Sequence, residues 1–441
     1  MGKRNIEMLF LDKKILDCIL LFSVFASSIV GAEIFGVSLS KVSLLPLELY
    51  LLIIFFKKRT FQFQRESRII VLWYGVILIS SFLNLCFTES YLRDYHKILL
   101  NNIAQTILFH IPIILMLGSA DNMQDRIKRF VLIVAQINCI WAVIQFVSWY
   151  VFLFDFNDFV YNHLLHGFLG NKEWTAWSYD MGVLAIRPTG LNHDPAFLSF
   201  LLVLGFIFAE SKVWRFIFFL GSAVAMSRVG IVSIILISLY NKYLHGLIKI
   251  KIKSAVVGVF SVLLFSSVVV FLYNYNENVR FQMDYTFSRF ESIFDSNERS
   301  VGGTDRHLLY IPASIVTWTA VPLMQKFIGI GPRTGGNAFV QTNAYEGFFQ
   351  LGPGMKVISW SIECDPAELL LGSGILGFIL YYYLLYSFIR KYKCDFQNRT
   401  VFFTIIFFGF MYNINFHPLT MLLIAIFSQA RTYKRAIGNV V

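Results

Sequence analysis

From Ile69 to Phe87 the chain carries no charged side chain and is apolar on every face. At 1.5 Å of rise per residue, a helix of that length covers the roughly 30 Å of hydrocarbon in a bilayer. Water offers such a segment no place to hide its surface, so the run constrains the fold more than any other feature. Comparable runs recur at about 15 to 36, 42 to 56, 98 to 118, 130 to 154, 195 to 209, 213 to 226, 229 to 241, 254 to 272, 367 to 387, 400 to 413 and 417 to 429. A transmembrane barrel would instead show segments of about ten residues with alternating polarity. Composition agrees with helices: 56% of residues are apolar and 15% charged, with a mean hydropathy of +0.62, which excludes a water-soluble fold of 441 residues.

Net charge is +11, yet the basic residues gather in short connections rather than in one patch, which reads as topology and not as a nucleic-acid footprint. Lys3 to Lys14, Lys57 to Arg68, Arg126 to Arg129, Lys212 to Arg215, Lys242 to Lys253, Arg390 to Arg399 and Arg431 to Arg435 alternate with connections poor in charge. All of them fall on one side of the expected spans, so the positive-inside rule places both termini in the cytoplasm. The first run follows Lys13 and Lys14 without a convincing cleavage site and reads as an uncleaved helix. Five cysteines, four of them in or beside apolar runs, imply no disulfide framework. The expectation is an all-α polytopic integral membrane protein, a single membrane domain over 1–441 with about 12 transmembrane helices. Two long outer loops complete it, 155–194 and a large one, 273–366, between helices 9 and 10. Long loops in a compact membrane protein are commonly functional, and Leu308 to Phe327 has the pattern of an interfacial or loop-domain helix.

Four segments could carry chemistry. Arg187-Pro188-Thr189-Gly190-Leu191-Asn192-His193-Asp194-Pro195 closes the first long loop; turn formation explains its proline and glycine, while ionisable groups at a bilayer entrance are costly unless paired or used. Met226-Ser227-Arg228-Val229-Gly230 holds an arginine between apolar runs, either as a snorkelling side chain in a tight turn or as a fixed cation whose planar fork suits phosphate oxygens. Gly302 to His307, containing Asp305 and Arg306, is followed downstream by Gly329-Ile330-Gly331-Pro332-Arg333. Glycine turns around an amphipathic helix account for most of that pattern, and Asp295, Glu298 or Asp305 could pair the two arginines. Last, Glu363-Cys364-Asp365-Pro366-Ala367-Glu368 enters an apolar run. Asp365 there reads as a helix cap, and the Glu363–Asp365 spacing as a weak divalent-cation signal. No P-loop, zinc cluster, Rossmann fingerprint or nucleophile elbow occurs.

In order and topology these segments resemble the O-antigen polymerase and ligase family of bacterial envelope glycosyltransferases. The likeness lies in Arg187-Pro-Thr-Gly-Leu with Asp194-Pro195, in Ser227-Arg228-Val-Gly, and in Leu369-Leu-Leu-Gly-Ser-Gly-Ile-Leu-Gly377. Ligases of that family carry a His-Asn pair shortly before the last of these, where this chain has Glu363-Cys364, a departure that favours the polymerase branch. The resemblance implies an enzyme of the bacterial inner membrane whose two outer loops are periplasmic. Its reaction would move a growing polysaccharide from undecaprenyl pyrophosphate to the next lipid-linked repeat unit. It implies pyrophosphate binding by Arg187, Arg228 and Arg306, a catalytic base at Glu363 with Asp365 or His193 as substitutes, and glycan or phosphate contact by Arg333. It implies no cofactor and no resident metal. The implied partners are the lipid-linked oligosaccharide, membrane lipids and a chain-length regulator protein, with no nucleic acid. A ligase acting on lipid A core, a lipid-linked glycan transporter and a non-catalytic scaffold remain alternative readings.

Overall fold

The computed structural model describes residues 2–29, 32–34, 37–58, 64–90, 94–117, 122–165, 176–180, 183–192, 194–244, 273–274, 280, 284, 304–343 and 362–429. The expected span at 254–272, His193, Asp295 and Glu298 lie outside them. The chain is mostly helical. Among the described residues, four helices are long and apolar enough to cross a membrane by length and composition: Leu39–Lys57, Arg65–Phe87, Tyr95–Leu117 and Met123–Phe152.

The chain divides into two compact units, Met1–Val134 with Thr304–Val441, and Ala135–Gly303. The first contains α1 (Gly2–Ser28), a two-stranded hairpin of β1 (Glu33–Ile34) and β2 (Val37–Ser38), α2 (Leu39–Val42), α3 (Leu44–Lys58), α4 (Arg65–Phe87), α5 (Tyr95–Gln105) and α6 (Ile111–Leu117). Between α5 and α6, Thr106–His110 widens into a π-helical turn, the kind of bulge often found at functional sites. The helix α7 (Met123–Phe152) begins in this unit and continues into the other.

The second unit then holds a short α8 (Phe156–Asp158) followed by a π-helical turn at Phe159–Leu164, the hairpin β3 (Ala176–Asp180) and β4 (Val183–Arg187), α9 (Pro195–Phe208), α10 (Lys212–Val224) and α11 (Arg228–Leu244). The chain returns to the first unit with α12 (Thr304–Ala320), α13 (Leu323–Ile328), α14 (Gly335–Thr342), α15 (Asp365–Gly372), α16 (Gly374–Lys391), α17 (Phe396–Met411) and α18 (Pro418–Gln429).

Two expectations are corrected in detail. The amphipathic stretch from Leu308 to Phe327 is two helices, because Pro322 cannot continue α12 and instead precedes α13; the Trp318 indole donates to the Lys326 carbonyl and folds them together. The apolar run over 367–387 is not one helix either. It parts at Ser373 because Gly374 adopts φ +63, and a Cβ there would lie 2.4 Å from the Phe327 carbonyl group.

Charge marks one end of the first unit. Asp17 of α1 pairs with Arg126 and Arg129 in the first turns of α7, and Lys391 at the end of α16 pairs with Glu66 in the first turn of α4 at 3.2 Å. Apart from Asp17, these residues come from the connections in which the sequence concentrates its basic side chains. One turn back from Lys391, Phe388 stacks on Phe402 at 4.3 Å and both are fully buried, so α16 and α17 meet through a dry aromatic contact.

Candidate functional site: a basic recess under a glycine-rich loop

The two glycine-rich segments flagged in the sequence meet in the first unit. Gly329 and Gly331 have φ +76 and +109, so the segment from Gly329 to Arg333 folds tightly enough to lie on the last turn of α15. There Ile330 N donates to Leu371 O and Gly331 N to Gly372 O, each at 2.9 Å. A Cβ on Gly329 would stand 2.3 Å from the Gly372 carbonyl, which is why glycine is required at that approach.

Polar side chains from the apolar helices hold the same loop by its carbonyls. Asn84 near the end of α4 donates to Gly329 O at 2.8 Å, the Tyr95 hydroxyl at the start of α5 to Ile330 O at 2.6 Å, and Asn102 to Pro332 O at 2.6 Å. Gln325 completes the network by donating to the Thr88 hydroxyl at 3.1 Å. A buried amide in an apolar helix is expensive unless it finds such a partner. Asn84 and Asn102 are therefore explained by the loop they fasten.

What the loop presents is Arg333, itself at φ +65. A left-handed conformation in a non-glycine residue is strained, and strain of this sort concentrates at functional positions. Protein surrounds Arg333 over the range at which charges act, yet the residue is exposed; it stands in a recess. Among the described residues its guanidinium makes no hydrogen bond or ion pair. Depth holds its pKa below the usual arginine range, and the carboxylate of Glu368 partly offsets this. Lys41 of α2 and His110 of the π-helical turn both lie within electrostatic range of it. Lys41 donates to Asn101 at 3.2 Å, and His110 stacks on Tyr74 with ring centroids 5.1 Å apart. Two cationic groups, Arg333 and Lys41, thus lie within electrostatic range of one another, an arrangement that stabilises a bound anion.

Glu368 is fully buried. Its carboxylate accepts from Ile362 N at 2.8 Å and from Gly335 N, the first residue of α14, at 3.3 Å. Gly335 and Gly372 wall the niche: a Cβ on either would come within 2.7 Å of a carboxylate oxygen. Glu368 therefore ties α14, the segment before α15 and the Arg333 loop into one piece, and lies within electrostatic range of the Arg333 guanidinium.

In the second unit the segment after Arg187 is equally well fastened. Gln145 accepts from Thr189 N, Asn138 accepts from Leu191 N, Asn157 donates to Thr189 Oγ1 and Gly190 O, and the Tyr161 hydroxyl donates to Leu191 O. Asp194 caps α9, its side chain accepting from Ala196 N, with Pro195 in the first turn. Ser227 accepts from Gly230 N to begin α11, and Gly230 lies against Ser199 of α9. Arg187 and Arg228 thus precede or begin helices that pack on one another from the same end. The Arg187 Nε is buried with no hydrogen-bond partner among the described residues.

The seven residues singled out in the sequence separate as follows. Arg187 and Arg228 belong to the second unit; Arg306, Arg333, Glu363 and Asp365 belong to the first. Arg306 is on α12, and His193 is outside the described residues. Glu363 is exposed whereas Asp365, two residues on, is buried, so the pair occupies unlike environments. Asp365 does not cap its own helix. Its carboxylate reaches across to Asn415 N at 3.0 Å, and burial pushes its pKa well above the usual carboxylate range, against the pull of the Asn415 and Ile414 N–H groups. Glu368, Lys41 and His110 were missed. Each carried one legible signal, an ionisable residue inside or at the edge of an apolar run. No family model matches the chain, and no curated relative is similar enough to be matched to it.

Proposed function

We propose that the chain is a glycosyltransferase-type polymerase of the inner bacterial membrane. It transfers a growing O-antigen or related surface polysaccharide from undecaprenyl pyrophosphate to a new lipid-linked repeat unit. The observation that carries this reading is the recess around Arg333, whose guanidinium makes no hydrogen bond among the described residues and is reinforced by the Lys41 ammonium. Counting about 12 spans from a cytoplasmic N-terminus puts the recess at the periplasmic face, and the charged end at Asp17, Glu66 and Lys391 at the cytoplasmic one.

A diphosphate leaving group needs charge stabilisation more than it needs a proton, and preorganised guanidinium and ammonium groups supply that. In the transfer, the acceptor hydroxyl oxygen bonds to the anomeric carbon, the bond from that carbon to the diphosphate oxygen breaks, and the diphosphate departs with the electron pair. The hydroxyl proton passes to a carboxylate. Arg333 is the principal diphosphate contact. Glu363 is the base: Glu368 and Asp365 are buried, whereas Glu363 is exposed. Arg187, Arg228 and Arg306 contact the glycan-lipid from their own segments.

Deleting the gene and running the extracted lipopolysaccharide on a gel tests the assignment. A polymerase mutant leaves core carrying a single repeat. Core without any repeat identifies a ligase, and an unchanged ladder overturns both.

A further inference from the structure

Beneath α15, away from the recess, the first unit buries several polar atoms that find no partner among the described residues: Trp73 Nε1, the Tyr381 hydroxyl, and both Nδ2 and Oδ1 of Asn415. All three residues are at most 1% exposed. They are gathered in one place. The Trp73 ring lies 5.2 Å from that of Tyr381 and 5.8 Å from that of Phe416, the neighbour of Asn415 in the chain. Asn415 N meets the Asp365 carboxylate, and Tyr381 is within electrostatic range of the same carboxylate.

Native interiors leave few buried polar groups unpaired, and those that lack a protein partner are commonly met by ordered water. The inventory here selects the ligand. Indole N–H and the amide NH₂ are donors only, so they cannot ligate a cation; the amide oxygen and the phenol accept as well. A molecule that both donates and accepts, and is small enough for an occluded site, satisfies the set. We infer that ordered water occupies a site lined by Trp73, Tyr381, Asn415 and Asp365, hydrating the buried carboxyl between α4, α15, α16 and the turn before α18. The water keeps the Asp365 carboxyl solvated although bulk water does not reach it.

Hydroxyl radicals generated by a synchrotron pulse arise from water in place, so a buried side chain touching bound water is oxidised while an equally buried dry one is spared. The purified full chain in nanodiscs is exposed for milliseconds and the oxidised peptides are quantified. Tyr392 is the reference, buried at 4% exposure with its hydroxyl satisfied by Phe427 O. Tyr381 and Trp73 are expected to label several-fold faster than Tyr392. Asn415→Leu is expected to slow both while leaving Tyr392 unchanged. Labelling of wild-type Tyr381 and Trp73 no faster than Tyr392 overturns the inference, whether or not the variant folds.

Discussion

Replacing Arg333 by glycine separates the work of the recess from the stability of the fold. At φ +65 an L-residue carries about 1–2 kcal/mol of backbone strain that glycine does not, against which glycine's greater freedom in the unfolded chain costs about 0.5–1 kcal/mol. The backbone balance therefore favours Arg333→Gly by up to about 1.5 kcal/mol. Removing the cation also relieves its repulsion with Lys41 while giving up its attraction to Glu368. The fold should lose nothing. Function should lose much, since two charge-assisted contacts to a diphosphate at about 1.5–3 kcal/mol each correspond to a rate loss of about 10²- to 10⁴-fold. Thermal unfolding of purified protein by intrinsic fluorescence, beside Arg333→Ala as a control that keeps the strained conformation, measures the first part. Polysaccharide chain length in a complemented deletion strain measures the second. The expected result is a glycine variant at least as stable as the alanine variant and devoid of long chains. Wild-type chain lengths in Arg333→Gly, or a glycine variant less stable than Arg333→Ala, would refute the reasoning.

Glu368→Ala leaves the N–H groups of Ile362 and Gly335 without their acceptor and should destabilise the purified protein by about 2–4 kcal/mol in a denaturation series. Gly374→Ala, at φ +63 with a Cβ driven to 2.4 Å from the Phe327 carbonyl, should cost at least about 2 kcal/mol and lower the yield of folded protein in a detergent-solubility assay. Asp194→Ala removes the cap of α9 and should lower the melting temperature by an amount equivalent to about 1 kcal/mol, without shortening the polymer. Lys41→Ala should weaken binding of inorganic pyrophosphate about tenfold by calorimetry while leaving the melting temperature of the unliganded protein within about 0.5 kcal/mol of wild type.

Helix positions were legible because apolar run length is a direct physical demand of the bilayer: Ile69 to Phe87 lies within α4, and the run at 195 to 209 coincides with α9 to within a residue. The break at Ser373 was not, since both sides of it are apolar and only the Gly374 conformation distinguishes it from an ordinary helical glycine. Local motifs were read correctly where the partner is near in sequence, as with the turn around Gly190, where Asn192 N donates to Thr189 O. They were misread or missed where it is remote. Asp365 engages Asn415, fifty positions on, and Glu368 engages Gly335, thirty-three positions back. Lys41 and Arg333 come from widely separated segments, so their proximity is a property of packing that no local pattern records.

The central claim is that Arg333 stabilises a departing diphosphate during polymer transfer, and reconstitution tests it most directly. Purified protein in liposomes is given a synthetic undecaprenyl-diphosphate-linked repeat unit, and products are resolved by mass. The account predicts a ladder of oligomers with matching release of undecaprenyl pyrophosphate, both abolished by Arg333→Gly in a folded protein. Intact substrate with wild-type enzyme, or a ladder unchanged in the variant, would contradict it.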